Sequence, residues 1–106
     1  MSGMVVDTRE LRFETSGGVE LHDVTAEVSR IVREAGLDEG VVVVHVPGST
    51  GALTTIEYEP GLLEDLAHAL ERLAPRDAHY AHNARWGDGN GHSHVRASLI
   101  GPSISV

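Results

Sequence analysis

The spacing of hydrophobic residues changes along the chain, and each change marks an element. Between residues 5 and 15, Leu11, Phe13 and Thr15 alternate with Arg12 and Glu14, the pattern of a half-buried strand. Ser16-Gly17-Gly18 follows as a turn. From Asp23 onward Val24, Val28, Ile31, Val32 and Ala35 recur at helical spacing, which predicts an amphipathic helix with Asp23 as its N-cap and Gly36 as its stop. The β-branched run 40–46, closed by Pro47-Gly48, predicts a buried strand, and residues 51–58 predict a second, so the two form a hairpin. Pro60 and Gly61 open another helix, with Leu62, Leu66, Ala69, Leu70 and Leu73 along one face and Glu64, Asp65, Glu71 and Arg72 on the others, ended by Ala74-Pro75. A polar stretch leads to a short helix over 93–100, capped by Gly101, and then to an alternating strand that begins at Ser103.

No internal repeat or linker interrupts this order, so one domain spanning residues 1–106 is expected. A chain of 106 residues forms a single core that leaves much surface unburied, and oligomerisation would help it. Sixteen acidic against eight basic residues give a formal net charge of −8, which repels phosphate backbones and anionic headgroups and argues against nucleic-acid and membrane partners. A phosphorylated small molecule would have to be held locally by a metal, positive side chains or backbone N–H groups. Without cysteine there is neither a thiolate metal site nor a cysteine nucleophile. The first residues lack the charged and apolar regions of a signal peptide, and the longest apolar run, Val41 to Val44, is far too short to span a bilayer; the expected location is cytoplasmic.

Chemistry concentrates in residues 79–101, which hold four of the seven histidines, the only Trp, and Asp88 with Asn90 among glycines. His82 and His94 flank the loop from Arg85 to Gly91, in which glycine permits sharp turns and close approach to a ligand while Asp88 can bind a metal or orient an imidazole. His92 and His94 share a face on a strand and diverge on a helix, so with a helix following only one joins a site, and His94 is favoured. The bland alternative is a polar loop with solvated imidazoles, since the spacing fits no standard zinc fingerprint.

Pro47-Gly48-Ser49-Thr50-Gly51 is a second candidate, where a tight turn and two hydroxyls could cradle a phosphate or carboxylate; it lacks the lysine of a Walker A loop and reads equally well as a hairpin connection. Glu57 becomes a candidate base only if it converges with the histidines. His45 reads as a core or interface imidazole, Asp65 as a residue on the polar side of its helix, and Trp86 either as a lid over a planar ligand or as packing.

Asp23-Val24-Thr25, the stretch STGALTTIEYEPGLLEDL over 49–66, Tyr80 with His82, and DGNGHSHVRASLIG over 88–101 together resemble the YjbQ-like family, small bacterial and archaeal proteins often called secondary thiamine-phosphate synthases. The polar positions of the family pattern correspond to Thr50, Glu57, Asp65, His82, Asp88, Asn90, His94 and Ser98. Gly48 stands where many members carry a histidine, and members usually continue past the Ser103 strand, so the C-terminal part of the family pattern is expected to be absent from this domain. The resemblance implies an α+β fold, a mixed or largely antiparallel sheet backed by two helices, assembled as a homotrimer. It also implies an enzyme that joins a hydroxymethylpyrimidine diphosphate to a thiazole phosphate and releases pyrophosphate.

On that reading Glu57, His82, Asp88, Asn90 and His94 are the catalytic candidates, Ser49, Thr50 and Ser98 bind the substrate, and His82 and His94 ligate a divalent metal ion. The competing expectation is a non-catalytic trimeric module that uses the same imidazoles to bind a metal or an anionic metabolite. A packing role alone is the third.

Overall fold

The computed structural model describes residues 4–106. In chain order its elements are α1 (Thr25–Ala35), β1 (Val43–His45), α2 (Pro60–Leu73), α3 (Ala81–Trp86), α4 (Gly91–Ile100) and β2 (Ser103–Ser105), an α+β set. They fall into two compact units, one up to Gly40 and the other Val41–Val106.

The first unit is built on α1. Val24 takes the N-cap position expected of Asp23, while Asp23, one residue earlier, accepts the Thr25 backbone N–H through its Oδ1 at 3.0 Å, and the helix ends at Gly36 with φ of 71°. That interaction holds the Asp23 carboxyl below the usual carboxylate range, because hydrogen bonding to Thr25 favours its charged form. Val24, Val28, Ile31, Val32 and Ala35 are all half-buried, as their helical spacing requires. The strand expected over residues 5–15 does not form: among the described residues this unit contains no strand to supply a ladder partner. Side chains tie the segment down instead, through Arg9 to Asp7 at 2.7 Å, Arg9 to Glu34 at 3.6 Å, and a Phe13–His22 ring stack at 5.6 Å.

The second unit carries the sheet. β1 pairs antiparallel with β2, matching Val43 to Ser105, Val44 to Ile104 and His45 to Ser103. Backbone bonds continue on both sides, reciprocally between Val42 and Val106 (2.8 and 2.9 Å) and from Val46 N–H to the Pro102 carbonyl (2.9 Å). Val42, Val44, Val46 and Ile104 are half-buried, whereas Val41, Val43 and His45 are exposed with Ser103 and Ser105. His45 therefore lies on the exposed face of the sheet rather than in the core.

The expected hairpin is not there. Residues 51–58 form no strand; β1 takes its ladder from β2, at the other end of the unit, and Leu53 N–H alone reaches across, to the Gly101 carbonyl at 3.0 Å.

Helix α2 begins where Pro60 and Gly61 predict. Both Glu59 carboxylate oxygens cap it, accepting from Gly61 N–H and Leu62 N–H at 2.8 Å each, and this pair of bonds lowers the Glu59 pKa. Leu70 on α2, Ala74 just after it and Ala97 on α4 are the buried apolar residues among those described. Arg96 joins the two helices: its Nε donates to the Ala74 carbonyl at 3.0 Å and its terminal nitrogen to Glu71 Oε2 at 2.7 Å. Among the described residues no helix is long and apolar enough to cross a membrane.

Candidate functional site

The polar stretch before α4 contains a further short helix, which takes in Arg85 and Trp86 of the expected loop. Residues 81–86 close one and a half turns and stop at Gly87, whose φ of 72° lies in the left-handed region where glycine has no steric penalty. The true loop is therefore Gly87 to Asn90. Helix α4 then starts at Gly91, two residues earlier than the hydrophobic pattern predicts.

Tyr80 and Asn83 set how closely α4 approaches α3. Asn83 Oδ1 accepts the Gly91 N–H at 2.8 Å, satisfying one of the orphan donors of the new helix. A Cβ on Gly91 would lie 2.7 Å from Tyr80 Cβ and 2.9 Å from Asn83 Oδ1, so no larger residue fits without movement. The Tyr80 hydroxyl is itself anchored, donating to the Pro75 carbonyl at 2.5 Å.

This close approach brings His82 of α3 against His94 of α4. Their ring centroids are 4.5 Å apart with the planes tilted by 46°. Asp88 completes the group, its Oδ1 lying 3.4 Å from His82 Nδ1. The separation makes an ion pair with a protonated ring, but the angle does not make a hydrogen bond, and His82 Nδ1 is shielded from solvent with no hydrogen-bond partner. With its amide turned so that nitrogen faces the carboxylate, Asn90 donates to both Asp88 oxygens at 2.9 and 3.1 Å. Four of the residues singled out from sequence thus meet in one cluster.

His92 takes a different direction, as two positions on a helix must. It is 9% exposed, its Nδ1 has no partner and its Nε2 lies 3.3 Å from Ser93 Oγ. Burial lowers its pKa, the positive charges of Arg96 and Arg76 lower it further, and Glu71 and Asp77 act the other way.

Ser49 and Ser98, expected to bind substrate, line a shallow pocket of about 210 Å³ together with Gly48, Gly51, Ala97 and Pro102. Ser98 follows His94 by one helical turn and donates its hydroxyl to the His94 carbonyl at 2.8 Å, which links the pocket wall to the imidazole pair. Thr50 is exposed and is not among the lining residues. Glu57 and Asp65 are also exposed, and among the described residues no contact joins either to the imidazoles. Nor does any group of three or more His, Asp or Glu side chains there come close enough to hold a metal ion. The two imidazoles alone are an incomplete ligand set for a divalent cation.

The sequence reading missed Tyr80 as a spacer, Asn83 and Arg96. Asn83 and Arg96 act through backbone groups distant in sequence, and no local pattern announces such partners.

The chain matches the profile described as UPF0047 protein YjbQ-like over residues 9–106. It belongs to the YjbQ-like family. A UPF0047 protein of Methanothermobacter thermautotrophicus is 43% identical over 103 residues, covering 97% of this chain and 71% of that one. Another from Archaeoglobus fulgidus is 38% identical over 97 residues, covering 92% and 73%. Among solved structures, a YbjQ-like protein of unknown function from Sulfolobus solfataricus superposes with a TM-score of 0.77 at 31% identity, over 81% of this chain and 61% of that one. An uncharacterized YjbQ/UPF0047 protein from Clostridium acetobutylicum gives a TM-score of 0.72 at 31% identity, over 80% and 64%. The chain thus spans about three-fifths of the length of these solved relatives. The resemblance seen in the motifs and the α+β fold it implied both hold.

Proposed function

We propose that this YjbQ-like chain supplies the catalytic centre of a cytoplasmic small-molecule enzyme acting on a phosphorylated substrate, with His82 and His94 as the groups that move protons. The observation that carries this reading is the imidazole pair itself, 4.5 Å between centroids, with the Asp88 carboxylate 3.4 Å from one ring. Two adjacent imidazoles in different surroundings can divide the acid and base roles near neutral pH. Asp88, fixed by Asn90, balances the charge of His82 when that ring is protonated, while the Ser49 hydroxyl and the turn at Gly48 offer donors to an anion.

The reaction class we propose is that of the secondary thiamine-phosphate synthases. The thiazole nitrogen attacks the methylene carbon of a hydroxymethylpyrimidine diphosphate, the carbon–oxygen bond breaks, and pyrophosphate leaves with the electron pair. Such a departure needs charge neutralisation on the leaving group, which hydrogen-bond donors and protonated imidazole can provide. A divalent ion would supply the same neutralisation, with His82 and His94 contributing to a ligand shell that other groups would have to complete. Glu57 has a role only if assembly carries it to the pair. A homotrimer is part of the proposal, supported by the exposed apolar side chains of Val41, Val43, Leu73, Trp86, Leu99 and Val106.

The test is direct. Purified protein supplied with both precursors and a divalent ion should form thiamine phosphate, and His94→Ala should abolish it. No product at high enzyme concentration would remove the synthase reading. Pyrophosphate binding without turnover would favour a non-catalytic module.

A further inference from the structure

We infer that His82 is a nucleophile as well as a proton carrier, and that its Nε2 accepts a phosphoryl group to form a transient phosphohistidine. The proposal rests on the imidazole pair being the chemical centre of the chain, but not on the synthase reaction.

The asymmetry between the two rings selects His82. Its Nδ1 is shielded from solvent and lies 3.4 Å from Asp88 Oδ1, yet the side chain as a whole retains 32% exposure. Of its two ring nitrogens only Nδ1 is shielded without a partner, and no hydrogen bond engages Nε2 among the described residues, so Nε2 is the nitrogen left open. A carboxylate beside Nδ1 favours the tautomer with its proton there, which leaves the Nε2 lone pair free on the open edge. Asn90 turned toward both Asp88 oxygens keeps the carboxylate in place. No ion pair joins His94 to a carboxylate among the described residues. Instead its ring sits against His82, in position to serve the proton transfers that accompany attack and hydrolysis.

Phosphoramidate makes the step explicit, because its nitrogen is already protonated. His82 Nε2 attacks phosphorus, the Nε2–P bond forms, the P–N bond breaks, and its electron pair leaves on ammonia. The ring becomes a phosphorylated imidazolium still carrying its Nδ1 proton, balanced by Asp88. Water then attacks phosphorus, the Nε2–P bond returns its pair to Nε2, His94 relays the proton lost by water to the departing phosphate, and dihydrogen phosphate leaves. Nothing is oxidised or reduced.

Phosphoramidate also labels ordinary imidazoles, so the other histidines serve as internal controls. The intact protein should be incubated with it and the rate at each histidine followed by mass spectrometry under conditions that preserve phosphoramidate bonds. His82 should be labelled about tenfold or more faster than His68, whose side chain is 63% exposed; tenfold corresponds to a barrier lower by about 1.4 kcal/mol. Asp88→Asn should remove the preference while leaving the circular dichroism spectrum unchanged, and His94→Asn should leave labelling but slow the release of phosphate. Labelling of His82 no faster than His68, or preferential labelling of His94, overturns the proposal. Preferential His82 labelling without thiamine phosphate formation would leave this inference standing and remove only the synthase reading; the reverse result would do the opposite.

Discussion

Replacing Arg96 by Met tests how the second unit holds together. The side chain is 12% exposed and makes two bonds, one to the Ala74 carbonyl and one to Glu71. These two bonds are not equal. Ala74 is 1% exposed and its residue ends α2, so its carbonyl would lose a charged donor where water has little access, at about 1–3 kcal/mol. Glu71 is 55% exposed and stays hydrated when its partner goes, so that ion pair contributes at most about 1 kcal/mol.

Methionine keeps most of the aliphatic stem, which limits the loss from packing. The expected cost is about 2–3 kcal/mol, dominated by the carbonyl, and for a chain of this size it lowers the midpoint by about 10–20 °C. Glu71→Gln, which removes the ion pair but leaves the carbonyl bond, should cost less than about 1 kcal/mol. Thermal and urea unfolding followed by circular dichroism would measure both, at several protein concentrations so that any assembly is separated from chain stability. If Arg96→Met costs no more than Glu71→Gln, the carbonyl bond is not what matters and the reasoning fails.

Two further outcomes follow from the packing around α4. Gly91→Ala puts a methyl 2.7 Å from Tyr80 Cβ, so α3 and α4 must separate; we expect a loss of about 1–3 kcal/mol, read by urea unfolding, together with weakened His82–His94 coupling in imidazole NMR spectra. Unchanged stability and spectra would count against the close approach. His92, held below its ordinary value of 6.5 by burial and by Arg96 and Arg76, gives a pH signature whose sign is fixed: as pH falls below 6.5 the unfolded chain takes the proton first, so stability declines until the folded value is passed and is flat below it. Stability of the native chain minus that of His92→Asn should fall on acidification from about pH 6.5, and parallel profiles would refute the assignment.

What the sequence determined by itself is local or periodic. Helix spacing located α1 and α2 because the apolar stripe is written every three to four residues, and Asp23, Pro60 and Gly36 act within a turn of the chain they start or stop. The motifs at 23–25, 49–66, Tyr80 with His82, and 88–101 together pointed to the family and nominated His82, Asp88, Asn90 and His94. The strand signals in residues 5–15 and 51–58 were equally local, but a strand exists only where another backbone accepts its hydrogen bonds, and β2 rather than 51–58 reaches β1. Only tertiary structure decided that His92 turns into the packing beside Arg96 while His94 meets His82, because that choice depends on α3, a six-residue helix too short for a periodic signal. It also separated Ser49 and Ser98, which share a pocket, from Thr50, Glu57 and Asp65, which do not line it. Residue type announces what chemistry a side chain can do; distance between elements far apart in sequence decides whether it has a partner to do it with.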